Sequence, residues 1–408
     1  MKMGGSTQLQ RVIGYFHGTI FLFSIIIGAG IFVAPKGVLK YSSLNVGVSL
    51  SIWAACAVVS TMAALSHAEL GTTFPRSGAQ YYFLKRSLGP FIAFFYLWIN
   101  LFSTPAGIAA RGLLLAGYIT QPFYPGCFVP EMPKKCLALA ILWCLGILNA
   151  RGVKEVTWFQ TVSTVVKMTV LCFVSVTGLV LVVRGRKENL DRFEKAFDGE
   201  VPNASQIAEA FLQGLYAYSG WGVLVRIAGE LKNPSETIPK CVITALTLVA
   251  LIYLLVNVSY IAVLTPREII SSDLILLINY VGFTDWIQLG LMMTGLLKLR
   301  YQEPHLSRPY KVRLPFVFGT IAVSLFLVLT PVIKSPQMHH IYVLLFILSG
   351  LLFYLPFVHF NLGSTYFNKI TCFLQLLLNV SPADDTDEYI STEETLQKNP
   401  PETPAKKE

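Results

Sequence analysis

Apolar runs of about 20 residues recur along this chain, and they constrain its fold more than any other feature. At a rise of about 1.5 Å per residue, a helix of that length crosses a hydrocarbon core of roughly 30 Å. In lipid, only helices and closed barrels satisfy every backbone polar group, and the alternating strands of a barrel are missing from the sequence. The sequence therefore predicts an all-α polytopic membrane protein.

Composition supports this fold class. The 408 residues are 54% hydrophobic and only 13% charged, against about 25% charged residues in soluble domains. The pattern predicts about ten transmembrane helices, at 13–33, 47–70, 91–119, 137–150, 157–183, 207–227, 238–264, 274–297, 314–332 and 341–360.

The formal net charge of +9 raises the question of a nucleic-acid partner. Most Lys and Arg residues lie in short loops between apolar runs, as the positive-inside rule predicts for loops on the cytosolic side. We therefore expect no nucleic-acid partner. The chain is expected to cross the lipid bilayer several times, with both termini in the cytosol.

The domain organisation follows from the same pattern. Residues 1–12 are expected to form a cytosolic tail, and residues 13–360 the transmembrane domain. The stretch 361–380 is short and partly amphipathic, which favours an interfacial helix. Residues 381–408 are rich in Asp, Glu, Thr, Pro and Lys, so a disordered cytosolic tail is predicted.

Two of the predicted spans carry glycines near mid-membrane, where each glycine weakens a helix by about 1 kcal/mol relative to alanine. The first span contains Gly28, Ala29 and Gly30, and the sixth contains Tyr216, Ser219 and Gly220. Two interrupted helices five spans apart indicate an inverted repeat, whose free half-helix ends suit a zwitterion such as a small amino acid. The other interpretation is that these glycines only allow close helix packing.

The first repeat would then extend over about 13–183, and the second would begin at about 207. Such an arrangement is typical of a five-plus-five helix transporter fold.

Three further residues stand out. Lys167 lies inside an apolar span without an acidic neighbour one turn away, so it either snorkels or pairs with another helix or with backbone carbonyls. Arg226 either pairs with Glu230 or holds a second carboxylate of a substrate. Cys127 lies in a turn-rich loop predicted outside, where an interchain disulfide, an intrachain disulfide and a free thiol all remain open.

Soluble-enzyme chemistry has no support in this sequence. It contains no HExxH, GxSxG, Walker loop or paired CxxC, and its histidines lack metal-ligand spacing. We therefore predict no enzyme, no catalytic residue, no cofactor and no metal.

Several segments resemble the light subunits of the heteromeric amino acid transporters, the L-type family of the amino acid/polyamine/organocation superfamily. The resemblance extends almost end to end. The segments that carry it are IIGAGIF at 26–32, FPRSGAQYY at 74–82, AYSGW at 217–221, NP at 233–234, IP at 238–239 and RPYKV at 308–312. Residues 152–158 (GVKEVTW) and 263–268 (VLTPRE) resemble the sodium-independent branch that carries aspartate and glutamate.

The resemblance implies a plasma-membrane antiporter that moves acidic amino acids or cystine by alternating access. It places the substrate carboxylate at Gly28, Ala29 and Gly30, although the family serine is missing at Ala29. It places the substrate ammonium at carbonyl groups, here those of Ile26, Tyr216 and Ser219.

Two more roles are implied by the same family. Lys167 stands where a lysine replaces the sodium ion of related carriers, and Cys127 stands where light subunits form a disulfide with a single-pass glycoprotein heavy chain. The family has twelve spans, but after Asp273 this sequence passes directly to a segment that resembles the family's tenth span. The resemblance therefore implies that the eighth and ninth spans are absent. It implies a first repeat at about 13–183, a truncated second repeat at about 207–297, and two extra helices at 314–360. The alternative is a transport-incompetent splice form that binds the heavy chain without carrying substrate.

Overall fold

The structure, a computed structural model, describes residues 13–74, 79–124, 130–151, 153–184, 193, 196–228, 231–265, 269, 275–334, 338–360, 369 and 372–373. In these residues the regular structure is helical, apart from an isolated parallel β-bridge between Ile13 and Leu231. The helices are α1 Tyr15–Ile26, α2 Gly30–Tyr41, α3 Val46–Thr73, α4 Ala79–Leu88, α5 Pro90–Thr120, α6 Glu131–Arg151, α7 Val153–Val183, α8 Ala204–Ala217, α9 Val223–Arg226, α10 Pro234–Val263, α11 Ile275–Gln302, α12 Leu314–Lys334 and α13 Met338–Ser349. A three-residue helix, Leu351–Phe353, and a π-helical turn, Tyr354–His359, follow α13.

The predicted class, an all-α polytopic membrane protein, is confirmed. Among the described residues, five helices are long and apolar enough to cross a membrane, and the bent pair α1 and α2 supplies a sixth span. The remaining predicted spans contain helices, interrupted at 218–222 in the sixth span, but they do not meet this test of length and composition. The total of about ten spans therefore stays a prediction.

The interior of the fold lies around α3 and α10. About half of the apolar window of α3 (50%) and of α10 (44%) is buried, against 11% in Trp158–Val183 of α7, whose apolar surface is left for lipid. Helix α2 packs along α8, α1 packs along α10, and α10 also packs on α3 and α7. The two glycine-containing spans are thus brought together in the interior.

Polar residues fix where two of the interior helices begin. The side chain of Asn45 accepts a hydrogen bond from the Val48 backbone N–H at 3.0 Å and caps α3. Asn203 and Gln206 form a reciprocal capping box at the start of α8. Such caps satisfy backbone donors that the first turn of a helix leaves without a partner.

A buried ion pair joins the predicted cytosolic ends of α3 and α11. Glu69 is fully buried, and its carboxylate accepts hydrogen bonds from the Arg300 guanidinium and, at 2.8 Å, from the Val312 backbone N–H. Arg308 lies 3.8 Å from the same carboxylate and donates to the carbonyl oxygens of Leu299 and Glu303. Arginines that the sequence suggested only as topology signals are therefore also structural residues.

By its internal contacts the chain divides into two units, residues 1–348 and 349–408. The first contains helices α1 to α12 and most of α13. The predicted domain boundaries, with tails at 1–12 and 381–408 and an interfacial helix at 361–380, lie mainly outside the described residues and stay predictions.

Candidate functional site

The first glycine-containing span is broken where the sequence predicts it. Helix α1 ends at Ile26, α2 begins at Gly30, and the two axes differ by 51°. The Gly28 backbone N–H turns back to the Ile26 carbonyl oxygen at 2.8 Å. A Cβ at Gly30 would lie 2.5 Å from the Ala217 Cα, so this glycine also permits close packing. Both interpretations of the glycines, break and packing, therefore describe this segment.

The sixth predicted span is broken in the same manner. Helix α8 ends at Ala217 and α9 begins at Val223. Between them Gly220 has φ +105°, a conformation that residues with a side chain rarely adopt. A Cβ there would approach the Ile25 Cγ2 atom to 2.9 Å, so the turn also brings the two broken spans close together.

Tyr253 of α10 connects the two breaks. Its buried hydroxyl lies 3.1 Å from the Ile26 carbonyl oxygen and 3.0 Å from the Ala217 carbonyl oxygen, and shares its single proton between them. These carbonyls are the last of α1 and α8, and the last carbonyls of a helix receive no hydrogen bond from within that helix. Sequence analysis did not single out Tyr253, because a tyrosine in an apolar helix carries no signal of its partner.

Lys167 of α7 uses backbone carbonyls, one of the partners that sequence analysis left open. Its half-buried Nζ donates to the Ile27 carbonyl oxygen at 2.7 Å and to the Ser24 carbonyl oxygen at 3.1 Å. The Ser24 hydroxyl lies 2.6 Å from the Thr164 hydroxyl of the same helix. A positive charge at the C-terminal end of α1 also interacts favourably with the dipole of that helix.

A cavity of about 220 Å³ lies beside the second break. The predicted site residues Tyr216, Ser219, Gly220 and Arg226 line it, whereas Ile26, Gly28, Ala29 and Gly30 are not among its lining residues. The structure therefore brings the residues of the sixth span together around open space, whereas Ile26 and Gly30 of the first span are buried and Ala29 is exposed outside this cavity. Lining residues outside the sixth span come from α3, α4, α5 and α11 and include Ser60, His67, Gln80, Tyr96, Asn100, Asp285, Trp286 and Met292.

The cavity contains one Arg and one Asp among its described lining residues. Arg226 and Asp285 are both exposed to it, and neither forms an ion pair or hydrogen bond within the part of the chain that the structure describes. Glu230, the alternative partner of Arg226, lies outside the described residues, as does Cys127. Sequence analysis missed Asp285, although an acidic residue inside a predicted span is itself a signal.

A hydrogen-bonded chain forms one wall of the cavity. The Tyr96 hydroxyl donates to Gln80 Oε1, so the Gln80 amide nitrogen faces His67 Nε2, 2.9 Å away. His67 Nε2 is then the acceptor, and the proton of the neutral ring is on Nδ1. Trp221 packs edge-on against the His67 ring, with centroids 5.6 Å apart. These contacts hold the wall of the cavity next to Arg226.

Comparison of the sequence with known proteins identifies relatives of this chain. A family model described as amino acid permease matches residues 13–290. Solute carrier family 7 member 13 of Mus musculus is 47% identical over 468 aligned positions, which cover 95% of this chain and 98% of that protein. The Homo sapiens protein of the same name is 46% identical, with 95% and 100% covered. The b(0,+)-type amino acid transporter 1 of Homo sapiens is 31% identical, with 94% and 96% covered.

These alignments also bear on the length of the chain. The 468 aligned positions exceed the 408 residues of this chain, so the Mus musculus relative contains residues that have no counterpart here. This agrees with a shortened form. The position of the difference, predicted after Asp273, stays a prediction.

Proposed function

Because the chain belongs to the amino acid permease family, as an amino acid transporter of solute carrier family 7, we propose that it exchanges acidic amino acids or cystine without sodium. The observation that carries this proposal is the pairing of two broken helices with a cation at each break. Lys167 contacts the carbonyl end of α1, and Arg226 lines the cavity beside the second break.

Sodium independence follows from the position of Lys167. Its ammonium donates to the Ser24 and Ile27 carbonyl oxygens, and backbone carbonyls of this kind are the ligands that a sodium ion uses in discontinuous helices. A fixed ammonium supplies the positive charge permanently, so no ion has to bind or leave during the cycle.

Acidic selectivity follows from Arg226. Its guanidinium is exposed to the cavity, and a planar guanidinium binds a carboxylate through two parallel hydrogen bonds. A substrate with a second carboxylate gains this interaction, whereas a neutral side chain leaves the guanidinium without it. Gly28, Ala29 and Gly30, together with the carbonyls of Ile26, Tyr216 and Ser219, remain the proposed contacts of the α-carboxylate and ammonium.

Alternating access requires the two broken spans to move relative to their neighbours. Between α2 and α8, Gly30 lies so close to Ala217 that a Cβ at Gly30 would be 2.5 Å from the Ala217 Cα. We propose that rocking around this contact opens the cavity alternately to the two sides of the plasma membrane, with both termini in the cytosol.

The light-subunit family suggests a partner as well. We propose that Cys127 forms a disulfide with a single-pass glycoprotein heavy chain. On a non-reducing gel of the purified complex, a linked band that disappears in Cys127→Ser supports this pairing, and a band that persists in the variant rejects it.

Exchange measured in proteoliposomes tests the proposed function. Vesicles loaded with unlabelled glutamate should take up labelled aspartate, glutamate or cystine, and replacement of sodium by choline should leave the rate unchanged. Empty vesicles should show little uptake, because an exchanger needs internal substrate. Uptake that requires sodium, or no uptake of any of these amino acids, would reject the proposal, and a heavy-chain complex without uptake would favour the splice-form alternative.

A further inference from the structure

The carbonyl group of Ile26 is already occupied by hydrogen bonds. Its oxygen accepts from the Gly28 backbone N–H at 2.8 Å and lies 3.1 Å from the Tyr253 hydroxyl, whose single proton is shared with the Ala217 carbonyl oxygen. A carbonyl oxygen has two lone pairs, so these contacts use part of its capacity. The ammonium group of a bound amino acid would therefore compete with both donors at this atom in the conformation that the structure describes.

The second break offers only a limited replacement. The Tyr216 carbonyl oxygen accepts from the Ser219 backbone N–H at 3.2 Å, and the Tyr218 backbone N–H is directed to it as well. An ammonium group that enters a low-dielectric cavity loses several kcal/mol of hydration, an order-of-magnitude cost that a neutral dipole offsets only in part. A carboxylate in the cavity would offset far more of it.

Asp285 is such a carboxylate. It lies near the middle of α11, is exposed, and lines the cavity together with Arg226. It is the only acidic residue among the described lining residues, and within the described part of the chain it has no ion-pair partner within 4.0 Å. Arg226 and Arg111 are close enough to interact with it electrostatically.

The cost of this arrangement points to a ligand. A charged side chain inside a membrane-spanning segment is energetically costly, and such residues mark substrate pathways. Arg226 and Asp285 each keep this charge exposed to the same cavity. A cavity with one exposed cation and one exposed anion is complementary to a solute that carries both charges.

We infer, on the basis of the proposed function, that Asp285 is a specificity-determining residue. It binds the ammonium group of the substrate in the cavity where Arg226 binds a carboxylate. Asp285 then acts in two ways. It attracts amino acids through their ammonium group, and it repels dicarboxylates of the same size that lack this group.

Glutamate and glutarate form the matched pair of probes, because they differ only in the amino group. Their affinities for the purified full chain in lipid nanodiscs can be measured by ligand-dependent thermal stabilisation. The wild-type chain should bind glutamate about tenfold more tightly than glutarate or better, and Asp285→Asn should remove most of that preference. Asp285→Glu keeps the charge and should retain the preference for glutamate. The control Asp198→Asn changes an exposed position outside the cavity and should retain that preference too.

The outcomes separate this inference from the proposed function. If the wild-type chain exchanges glutamate but Asp285→Asn keeps the full preference over glutarate, the inference is rejected and the proposed function stands. If the wild-type chain neither binds nor exchanges any amino acid, both are rejected. If Asp285→Asn loses the preference while both control variants keep it, the inference is supported.

A second measurement uses the wild-type chain and does not depend on the folding of a variant. Dicyclohexylcarbodiimide modifies carboxyl groups in apolar surroundings, and peptide mass spectrometry measures the modification of Asp285. Glutamate should protect Asp285 by about tenfold at a concentration ten times its dissociation constant, whereas glutarate at the same concentration should not. Equal modification with and without glutamate would overturn the inference.

Discussion

The hydroxyl of Tyr253 lies 3.1 Å from the carbonyl oxygen of Ile26, and the same hydroxyl reaches the Ala217 carbonyl oxygen at 3.0 Å. One side chain therefore holds the last carbonyls of two different broken helices. Because both helix ends lie in the interior, water is not available there as a substitute donor. This contact couples the conformation of the first break to that of the second.

Substitution Tyr253→Phe removes that donor and keeps the ring. We expect a loss of about 1–3 kcal/mol in stability, the usual cost of leaving buried polar groups without a partner. Thermal unfolding in detergent should show a lower midpoint for this variant. Tyr301→Phe, at a position 89% exposed, is the control and should leave the midpoint unchanged. Equal midpoints for Tyr253→Phe and wild type would contradict the role given to this hydroxyl.

The ammonium of Lys167 should be needed for exchange. Lys167→Met leaves the Ser24 and Ile27 carbonyl oxygens without their donor, so we expect exchange to fall by about tenfold or more, which corresponds to about 1.4 kcal/mol. Labelled glutamate uptake in proteoliposomes measures the effect. Lys135→Met, in an exposed pair with Glu131, should retain the wild-type rate. Wild-type exchange by Lys167→Met would show that the ammonium is dispensable.

Arg226 should determine the preference for acidic substrates. In Arg226→Leu the cavity loses its guanidinium, so the ratio of glutamate to glutamine uptake should fall about tenfold or more, in line with the loss of a charge-assisted hydrogen bond. Arg184→Leu changes the charge equally at an exposed position outside the cavity and should leave the ratio unaltered. An unchanged ratio in Arg226→Leu would remove the assignment.

The sequence predicted the parts of this fold that depend on hydropathy and on glycine. Helices occupy the predicted spans in the residues that the structure describes. The two breaks contain Gly28 and Gly220, and glycine is a residue that weakens a helix. The positions of Asp285 and Tyr253 could not be predicted in the same way. Which helices meet at a break is set by packing of apolar surfaces, which the hydropathy of each helix alone does not encode.

The same limit explains the difference between the two breaks. Sequence analysis assigned Gly28, Ala29 and Gly30 to the substrate site on equal terms with Ser219 and Gly220, since both segments contain glycine within an apolar span. In the structure only the second segment faces the cavity. Gly30 packs against Ala217, and that contact depends on a residue 187 positions away in the chain, which no local pattern contains.

Glycine substitutions at the two breaks should have unequal effects. Gly220→Ala places a Cβ 2.9 Å from Ile25 and forces a side chain into φ +105°, so we expect a cost of about 1–2 kcal/mol in stability. At Gly28 the nearest atoms to a new Cβ are backbone oxygens at 3.8 and 3.9 Å, so Gly28→Ala should fold normally. Thermal unfolding of the two variants tests this order, and a lower midpoint for Gly28→Ala than for Gly220→Ala would contradict it.

Two ion pairs near the predicted cytosolic end provide a matched test of burial. In the Arg300 and Glu69 pair the side chains are 9% and 0% exposed, whereas in the Arg86 and Glu303 pair they are 26% and 32% exposed. Removal of one charge from a buried pair leaves the other without compensation and costs about 3–5 kcal/mol, while a solvated pair contributes about 0–1 kcal/mol. Glu69→Gln should therefore be much more destabilising than Glu303→Gln.

The comparison of Glu69→Gln with Glu303→Gln also separates charge from hydrogen bonding. The glutamine at 69 keeps an oxygen that can accept from the Val312 backbone N–H, so the larger effect reports the uncompensated Arg300 and the nearby Arg308. High salt should weaken the contribution of the partly exposed Arg86 and Glu303 pair, because ions screen charges that solvent reaches. The contribution of the buried Glu69 pair should stay almost unchanged. Denaturation midpoints of both variants at low and high salt measure this difference. Equal midpoints for the two variants would mean that burial at Glu69 does not control the strength of its ion pair.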